Sequence, residues 1–416
     1  MADLLHLHLL DIPQSVLMAL QEQARLQGGV RLALVGGAVR DALLHHKHHD
    51  PWRDLPDLDL VVEGSTEVFA QGLLQRLGAS RVQELRVHGS FGTVELVLDG
   101  VLLDLAQSRQ ESYPAPAENP VVEAGPLDLD LARRDFTVNA MALVMGSGDA
   151  EPELLDLHGG QDDLVARQLN FLHAGSVRDD PTRVLRAARY CARLGFCLGP
   201  TALHQVQSTV GLWPWAWRLG DPVVSVPPAL GTRLRKELEL LLYREPWAPA
   251  LDMLRVWSAM SLLDPYLQTD CRLIRRLHQA SRLGLPALVA LVAAASDPCA
   301  LALRLQIPCQ QQRWLEALIE LRRWILVEVL PQPWRSWGPL EWTRRLEQDR
   351  WPAEVVALAV VDNLPCRRPL LRWWGRWRHV TASESAMDLI AQGMTPGPQL
   401  GEALRRSRDQ ALMDIR

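Results

Sequence analysis

Cysteine is scarce in this sequence, and the few cysteines lie far apart. The 416 residues include six cysteines, and no two of them form a C-x-x-C pair. This spacing argues against a zinc site and against a disulfide framework. It favours a reducing compartment, so we expect a cytoplasmic protein.

Long hydrophobic runs are also missing. No apolar stretch approaches the roughly 20 residues that a transmembrane helix needs. The leucine-rich N-terminus has no basic start, and Asp11 and Pro13 interrupt its apolar run. We therefore expect neither a signal peptide nor a membrane partner.

An excess of positive charge is absent as well. Lys and Arg number 44 against 49 Asp and Glu, which gives a formal net charge of −5. A protein that coats nucleic acid along its whole surface is therefore excluded, and any RNA-binding surface must be local. The apolar fraction of 48% supports a substantial core, and the chain length predicts two to four structural units.

The pattern of strands and helices changes along the chain. Short apolar runs at residues 30–35 and 58–63 predict buried strands, and Asp99-Gly100 predicts the turn of a hairpin over residues 93–103. From about residue 179 the pattern is helical, and 14 of the 15 tryptophans follow residue 200. We predict an α/β head followed by an all-α region.

The predicted boundaries follow composition and proline-bearing breaks at residues 222–228 and 331–339. Residues 114–126 are rich in Pro, Ala and Glu and predict a long mobile loop. The predicted domains are an N-terminal helix, an α/β head, a helical neck, and a helical body and tail, at residues 1–29, 30–150, 151–230 and 231–416.

A pair of glycines joins a predicted strand to a predicted helix. Gly36 and Gly37 permit close approach of a ligand to the backbone, and the helix start offers free N–H groups. Arg40 adds a fork-shaped donor that suits phosphate. An ordinary strand–helix turn has the same residues, so the pair alone leaves both interpretations open.

Two aspartates alternate along the next predicted strand. Asp57 and Asp59 would point to one face, while Leu58 and Leu60 enter the core. Hard carboxylate oxygens suit Mg²⁺, which takes further ligands from water and from substrate phosphates. Two such ions about 3.5–4 Å apart can activate a hydroxyl and stabilise a leaving group. Two surface aspartates in a turn are the alternative.

Further motifs follow in a fixed order. Residues 133–140 read R-R-D-F-T-V-N-A, residues 156–164 read D-L-H-G-G-Q-D-D-L, and residues 179–183 read D-D-P-T-R. Together with the glycine and aspartate motifs, they resemble the class II tRNA nucleotidyltransferase (CCA-adding enzyme) and bacterial poly(A) polymerase family. The resemblance covers residues 34–196.

The resemblance implies a polymerase-beta-like catalytic head, with a mixed or antiparallel sheet and helices, followed by an all-α neck, body and tail. It implies that the neck recognises nucleotide and base and that the body and tail bind tRNA. It implies addition of CMP, CMP and AMP from CTP and ATP to the tRNA 3′ end, with release of pyrophosphate. Asp57 and Asp59 would be catalytic and would bind two Mg²⁺ ions. The residues implied to contact the sugar and phosphates of the nucleotide are Gly36, Gly37, Arg40, Arg134, Arg186 and Arg189.

The resemblance assigns base recognition to Asp180 and Arg183. The carboxylate would accept from the exocyclic amine that cytosine and adenine share, and the guanidinium would donate to the adjacent ring nitrogen. A mismatched base edge costs about 1–3 kcal/mol. On a helix, Arg183, Arg186 and Arg189 lie opposite an apolar stripe, so a solvated charged face is the alternative.

Residues 107–128 match the position of the family's flexible loop, which helps to switch specificity from C to A. Arg109, Glu111 and Tyr113 resemble the R-x-E-x-Y pattern of that loop. The presence of the loop argues against an enzyme that adds only C.

Three other features receive less specific interpretations. The histidines at 45–49 indicate a polar surface insertion rather than a metal site. Arg372, Arg376 and Arg378 lie among tryptophans and form a candidate RNA-binding segment, with an amphipathic helix that packs its tryptophans as the alternative. Asp104 is interpreted as structural or base-orienting, and Asp135 as a cap or an arginine clamp.

Three alternative functions remain open at this point. The head motifs also fit an enzyme that adds only the terminal A, and they fit a poly(A) polymerase. A non-catalytic RNA-binding relic would be expected to have lost Asp57 or Asp59, and both are present.

Overall fold

The computed structural model describes residues 9–53, 55, 57–89, 92–145, 152–212, 214–215, 227–348 and 351–415. The chain forms two compact units, and the first is discontinuous in sequence. Residues 1–212 and 245–257 form the first unit, and residues 213–244 and 258–416 form the second. Among the described residues, no helix combines the length and the apolarity needed to cross a bilayer.

The first unit contains a seven-stranded mixed sheet and two small two-stranded ladders. Its strands are β1 (Leu32–Val35), β2 (Leu58–Val62), β3 (Val82–His88), β4 (Thr93–Leu98), β5 (Val101–Gln107), β6 (Arg109–Ser112), β7 (Val121–Ala124), β8 (Met141–Val144), β9 (Glu153–Asp156), β10 (Gln168–Leu169) and β11 (Cys197–Leu198). The large sheet has the order β3-β4-β5-β2-β1-β8-β9. Its β2–β5 pair is parallel, and its other pairs are antiparallel.

The helices of the first unit cover the sheet and continue beyond it. They are α1 (Gln14–Leu26), α2 (Gly37–His48), α3 (Thr66–Leu77), α4 (Leu127–Ala132), α5 (Gly160–Ala166), α6 (Ser176–Asp179), α7 (Thr182–Leu194), α8 (Pro200–Val210) and α10 (Trp247–Val256). On one face of the sheet, Leu127 and Leu131 of α4 pack with Val35, Val61 and Ala142. Elsewhere α2 contacts β1, α3 contacts β4, and α10 contacts α7.

Helices and short helical turns make up the described part of the second unit. Its helices are α9 (Pro228–Arg244), α11 (Pro265–Thr269), α12 (Leu273–Arg282), α13 (Ala287–Ala293), α14 (Pro298–Arg304), α15 (Cys309–Trp324), α16 (Pro339–Gln348), α17 (Ala353–Val361), α18 (Arg367–Gly375), α19 (Ala386–Ala391) and α20 (Pro398–Met413). A π-helical segment, Ile325–Val329, extends α15. Every residue of α17 from Val355 onward is buried, which makes α17 a core helix of this unit.

The predicted fold class, a mixed-sheet head followed by helices, is confirmed. The hairpin prediction is also confirmed, because Asp99 and Gly100 connect β4 to β5 with φ angles of 49° and 85°, which a tight hairpin turn requires. The three boundaries between the four predicted domains stay predictions. Strand β9 extends the head sheet past the predicted boundary at residue 150.

The prediction of a long mobile loop over residues 114–126 is wrong in part. Strand β7 lies within that range and pairs with β6 as an antiparallel hairpin. All four residues of β7 are exposed. Their sequence, Val-Val-Glu-Ala, lacks the alternation of apolar and polar residues by which a half-buried strand is predicted.

The tryptophans at positions 213, 215, 217, 334, 337 and 342 are predicted from the sequence to lie in the core, and the structure describes four of them. Trp215, Trp334 and Trp342 are buried, and Trp337 is half-buried. Trp213 and Trp217 lie outside the described residues, as do residues 222–226 of the predicted proline break.

Helix α10 is tied to α7 by one buried carboxylate. Glu245, just before α10, accepts from Nη2 of Arg189 at 3.2 Å and from Nε of Arg193 at 2.9 Å. We expect Glu245→Ala to lower the unfolding free energy of this region by about 3–5 kcal/mol, because it breaks the buried ion pair with Arg189 and removes the acceptor of Arg193. Amide exchange of α7 in rising urea measures the loss.

The matched control for this variant is Glu22→Ala. Glu22 also pairs with an arginine of the first unit, Arg25, but both side chains are exposed. Exposed pairs contribute little to stability, so the protection of α7 should stay as in the wild type. Equal effects of the two substitutions would contradict a special role for the buried pair.

Candidate active site

Two aspartates stand at the start of the central strand β2. Asp57 directly precedes the strand and Asp59 lies in it, while Leu58 and Leu60 are buried in the core as expected. Asp59 is open to solvent on one side. The surrounding protein nevertheless raises the pKa of its carboxyl by desolvation, and the charge of Asp57 raises it further. The two groups thus repel each other when both are ionised.

A third carboxylate lies on the neighbouring strand. Asp104 of β5 is the register partner of Asp59, because β2 and β5 run parallel. Its Oδ1 is buried and has no hydrogen-bond partner in the described part of the chain. Desolvation raises the pKa of Asp104, followed by the charges of Asp57 and Asp59. The surroundings of these carboxylates therefore favour a cation.

The described residues include no group of three or more His, Cys, Asp and Glu side chains arranged to hold a metal ion by themselves. A magnesium ion at Asp57 and Asp59 would need ligands from elsewhere. Mg²⁺ commonly keeps waters and binds substrate phosphates in addition to one or two carboxylates. The donor set therefore fits an ion that arrives with a nucleoside triphosphate.

The glycine turn brings the backbone close to these carboxylates. Gly36 has a φ of 71°, and a Cβ atom placed on it would lie 3.5 Å from Oδ2 of Asp59 and 3.4 Å from Nη1 of Arg134. Helix α2 begins at the next residue, Gly37. A carboxylate, an arginine and the start of a helix thus converge around one glycine, as a site for phosphate and metal requires.

Arg134 is oriented from behind by a buried acid. Its Nη2 donates to Oδ2 of Asp130 at 3.0 Å, and Asp130 is fully buried. The neighbouring Arg133 donates to the other oxygen, Oδ1 of Asp130, at 2.7 Å. The positive charge of Arg134 lowers the pKa of Asp59 and so opposes the effect of burial there.

Arg40 is buried beneath the glycine turn, with only 2% of its surface exposed. Its guanidinium donates twice to Asp41, at 2.9 and 2.8 Å, and once to Asn139, at 2.7 Å. It also lies over the ring of Tyr190. These partners hold the Arg40 side chain in the protein interior. A Cβ atom placed on Gly37 would lie 3.4 Å from Nη2 of Arg40. Its predicted phosphate contact stays a prediction.

Asp180 and Arg183 lie where the loop after α6 enters α7. Oδ1 of Asp180 accepts from the backbone N–H of Thr182 at 3.1 Å and from its hydroxyl at 2.7 Å. Arg183 is 4% exposed, and its Nη2 donates to the carbonyl of Arg133 at 3.0 Å. The base-recognition candidates are therefore fixed by neighbours, and one of them touches the segment that carries Arg134.

Two further arginines of α7 have acidic partners. Arg186 lies 2.7 Å from Oδ2 of Asp135, which agrees with the interpretation of Asp135 as an arginine clamp. Arg189 contacts Glu245, as described above. The predicted contacts of Arg186 and Arg189 with a nucleotide stay predictions.

The predicted flexible loop is the β6–β7 hairpin. At its base, Glu111 lies 3.0 Å from Nη2 of Arg109 and 3.0 Å from Nη1 of Arg133. The Tyr113 hydroxyl is 3.5 Å from Glu111. Towards the tip, the N–H of Ala117 donates to the carbonyl of Asp179 at 3.1 Å. Loop, head and neck residues are thus linked within the first unit.

The remaining candidates are the histidines near the end of α2 and the arginines of the second unit. The histidines fall at the C-terminal end of α2, where Nδ1 of His45 is 2.9 Å from the carbonyl of Asp50. In the second unit, Arg372 and Arg376 are exposed, and Arg378 lies over the ring of Trp374. Trp373 and Trp377 are buried, as in the amphipathic-helix alternative.

Sequence analysis named Asp135 as a cap or an arginine clamp, but it missed three other side chains that hold arginines, namely Asp130, Asn139 and Glu245. Asp130 and Asn139 flank or belong to the R-R-D-F-T-V-N-A motif, so their proximity to its arginines was a usable signal. Glu245 lies 56 residues from Arg189 in an unremarkable helical stretch, and no local pattern identifies it.

A family profile for the poly(A) polymerase head domain matches residues 32–170. That range contains β1, the glycine turn, both aspartates of the β2 motif and Arg134. It ends just before the helices that carry Asp180 and Arg183.

Curated relatives extend the match beyond the head. The CC-adding tRNA nucleotidyltransferase of Deinococcus radiodurans is 38% identical over 66% of this chain and 67% of its own length. The A-adding tRNA nucleotidyltransferase of Aquifex aeolicus is 33% identical over 60% of this chain, but the match spans only 27% of that longer protein.

A solved structure of a CCA-adding enzyme, in an apo form, resembles the chain over nearly its whole length. The TM-score is 0.72, with 23% identity over 97% of this chain and 94% of the other. At that identity the likeness shows the fold. Together with the Deinococcus relative, it identifies the chain as a member of the tRNA nucleotidyltransferase family that carries the poly(A) polymerase head domain.

Proposed function

We propose that the protein adds C, C and A to the 3′ end of tRNA, using CTP and ATP and releasing pyrophosphate. The observation that carries the proposal is the convergence of Asp59, Arg134 and the start of α2 around Gly36. This combination supplies a metal ligand, a phosphate ligand and free backbone N–H groups in one place.

In this proposal Asp57 and Asp59 hold magnesium. Bound magnesium would neutralise phosphate charge and make the RNA 3′-hydroxyl a better nucleophile toward the α-phosphate. Asp104 adds negative charge beside Asp59 and thereby strengthens attraction for a cation. The strand β2, buried at Leu58 and Leu60, keeps the carboxylates in place without reorganisation.

The arginines would hold the triphosphate. Arg134 is already beside Asp59, and Asp130 fixes its orientation. Arg186 and Arg189 of α7 are held by Asp135 and Glu245. Because these side chains are ordered before the nucleotide binds, less conformational entropy is lost on binding.

Base selection would use Asp180 and Arg183 as a protein template. A carboxylate accepts from the amine of cytosine or adenine, whereas uracil and guanine present a carbonyl oxygen there. The hydrogen bond from Arg183 to the Arg133 carbonyl joins this template to the segment that binds the triphosphate.

The proposal of full CCA addition has two competitors with support from named relatives. The Aquifex relative is named as an A-adding enzyme, which favours addition of the terminal A alone. The Deinococcus relative is named as a CC-adding enzyme, which favours addition of C alone. The β6–β7 hairpin, with Arg109, Glu111 and Tyr113 in place, favours an enzyme that also adds A. We further propose a cytoplasmic location, in keeping with the free cysteines among the described residues.

Asp59→Asn should abolish nucleotide addition. The variant keeps the size of the side chain but removes a metal ligand, which costs several kcal/mol of transition-state stabilisation, or about a thousand-fold in rate. Single-turnover incorporation of labelled CMP measures the loss, and tRNA affinity should be unchanged. Asp252→Asn, at an exposed aspartate of α10 outside the site, is the control. Retained turnover in Asp59→Asn contradicts the metal assignment.

Asp180→Ala and Arg183→Ala should each relax base choice. Loss of one template contact removes about 1–3 kcal/mol of discrimination, so UTP incorporation relative to CTP should rise about 5- to 150-fold. Arg178→Ala is the matched control, because Arg178 is exposed and lies two residues before Asp180. A wild-type ratio of UTP to CTP in both template variants would exclude base recognition by these residues.

Three tRNA substrates, lacking CCA, CA or A, should all be completed by the purified enzyme when CTP and ATP are both present. Denaturing gels resolve each added nucleotide. With CTP alone, the first two should stop at CC. Failure to add A to any substrate establishes a CC-adding enzyme, and extension only of the tRNA that ends in CC establishes an A-adding one.

A further inference from the structure

A pocket of about 470 Å³ lies in the second unit, between the turn Trp334–Ser336 and helices α16 and α18. Tryptophans form its apolar wall. Trp334 and Trp342 are buried, while Trp337 is half-buried. The volume falls within the range of about 300–1,000 Å³ that is usual for small-ligand sites.

The ring of Trp337 is held in a fixed orientation. It packs edge-on against Trp342, with ring centroids 5.1 Å apart. The guanidinium of Arg345 lies 4.1 Å from the centroid of Trp337, and Arg345 is itself anchored by a 2.6 Å bond to Glu341. A ring that is already immobilised binds a flat partner at low entropic cost.

Three arginines line the same pocket. They are Arg335, Arg368 and Arg372, and none of the described residues that line the pocket is acidic. All three are exposed. Neither Arg368 nor Arg372 has a hydrogen bond or an ion pair to its side chain in the described part of the chain, whereas Arg335 lies 4.5 Å from the ring of Trp334. In a protein with a net charge of −5, this is a local positive field.

We propose that this pocket binds one unpaired nucleotide of an RNA, with its phosphate on Arg368 and Arg372 and its base against Trp337. Guanidinium groups bind phosphate through paired hydrogen bonds, and bases stack on aromatic side chains in a sequence-tolerant way. An acidic peptide would satisfy the arginines but leave the aromatic wall without a partner, so the combination favours a nucleotide.

This proposal rests on the proposed function for the identity of the RNA, which would be the tRNA substrate. Its site is separate in sequence from the catalytic residues, because every lining residue lies between 334 and 377. One arginine of the candidate RNA-binding segment, Arg372, lines the pocket. The other two arginines of the lining, Arg335 and Arg368, were not among the RNA-binding candidates named from the sequence.

The first test measures affinity for tRNA by fluorescence anisotropy at several salt concentrations. The double variant Arg368→Gln/Arg372→Gln should bind about ten-fold more weakly at low salt. Its log–log salt slope should fall by about 0.7–0.9, because the two arginines together neutralise one phosphate. The control, Arg313→Gln/Arg323→Gln, removes two exposed arginines of α15 that do not line the pocket, and it should match the wild type.

The second test separates stacking from charge. Trp337→Leu should weaken binding about 5- to 150-fold without changing the salt slope, and Trp337→Phe should restore part of the affinity. Circular dichroism identifies a variant that has failed to fold, in which case the arginine pair carries the test alone.

The outcomes distinguish this proposal from the proposed function. Wild-type binding in the arginine variant, or an equal loss in the α15 control, overturns the pocket proposal even if the enzyme extends tRNA normally. Displacement of tRNA by poly-glutamate, together with unchanged binding in Trp337→Leu, overturns it in favour of an acidic partner. A wild-type protein that extends no tRNA overturns the proposed function, whereas the effect of the variants on RNA binding still tests the pocket.

Discussion

Repulsion among carboxylates on adjacent strands is the constraint around which the head is organised. The parallel pairing of β2 with β5 sets Asp59 beside Asp104, and Asp57 lies close by. Such a cluster is unfavourable when ionised. The burial of Leu58 and Leu60, which alternate with the two aspartates along the chain, offsets that cost. The strand therefore holds the charges in an arrangement that a divalent cation relieves.

Three arginines of the candidate site share one feature, which is that each is paired with an acid. Asp130 supports Arg134, Asp135 supports Arg186, and Glu245 supports Arg189. These acids are all buried, so each pair is stronger than a pair at the surface. In the proposed function, these pairs would orient the arginines before substrate arrives, which is the condition for electrostatic stabilisation of a transition state.

The sequence predicts structure that depends on neighbouring residues. It does not predict contacts between strands or helices that are far apart in the sequence. Strand β2 and the Asp99-Gly100 hairpin follow from alternation and turn chemistry within a few residues. Strand β7 has no buried face and so leaves no hydrophobic pattern. The position of Asp104 requires knowledge that β5 runs parallel to β2, and the role of Glu245 requires knowledge that α10 packs on α7. Neither pairing is encoded by spacing.

The discontinuity of the first unit has a practical consequence for anyone who divides the protein. Residues 245–257 belong with the catalytic half although the sequence on both sides belongs to the other. A fragment that stops at residue 212 lacks Glu245, which pairs with Arg189 and Arg193. It also exposes the face of α7 that α10 covers. The two halves are therefore not separable by a single cleavage, and a catalytic fragment must include α10 by way of an artificial linker.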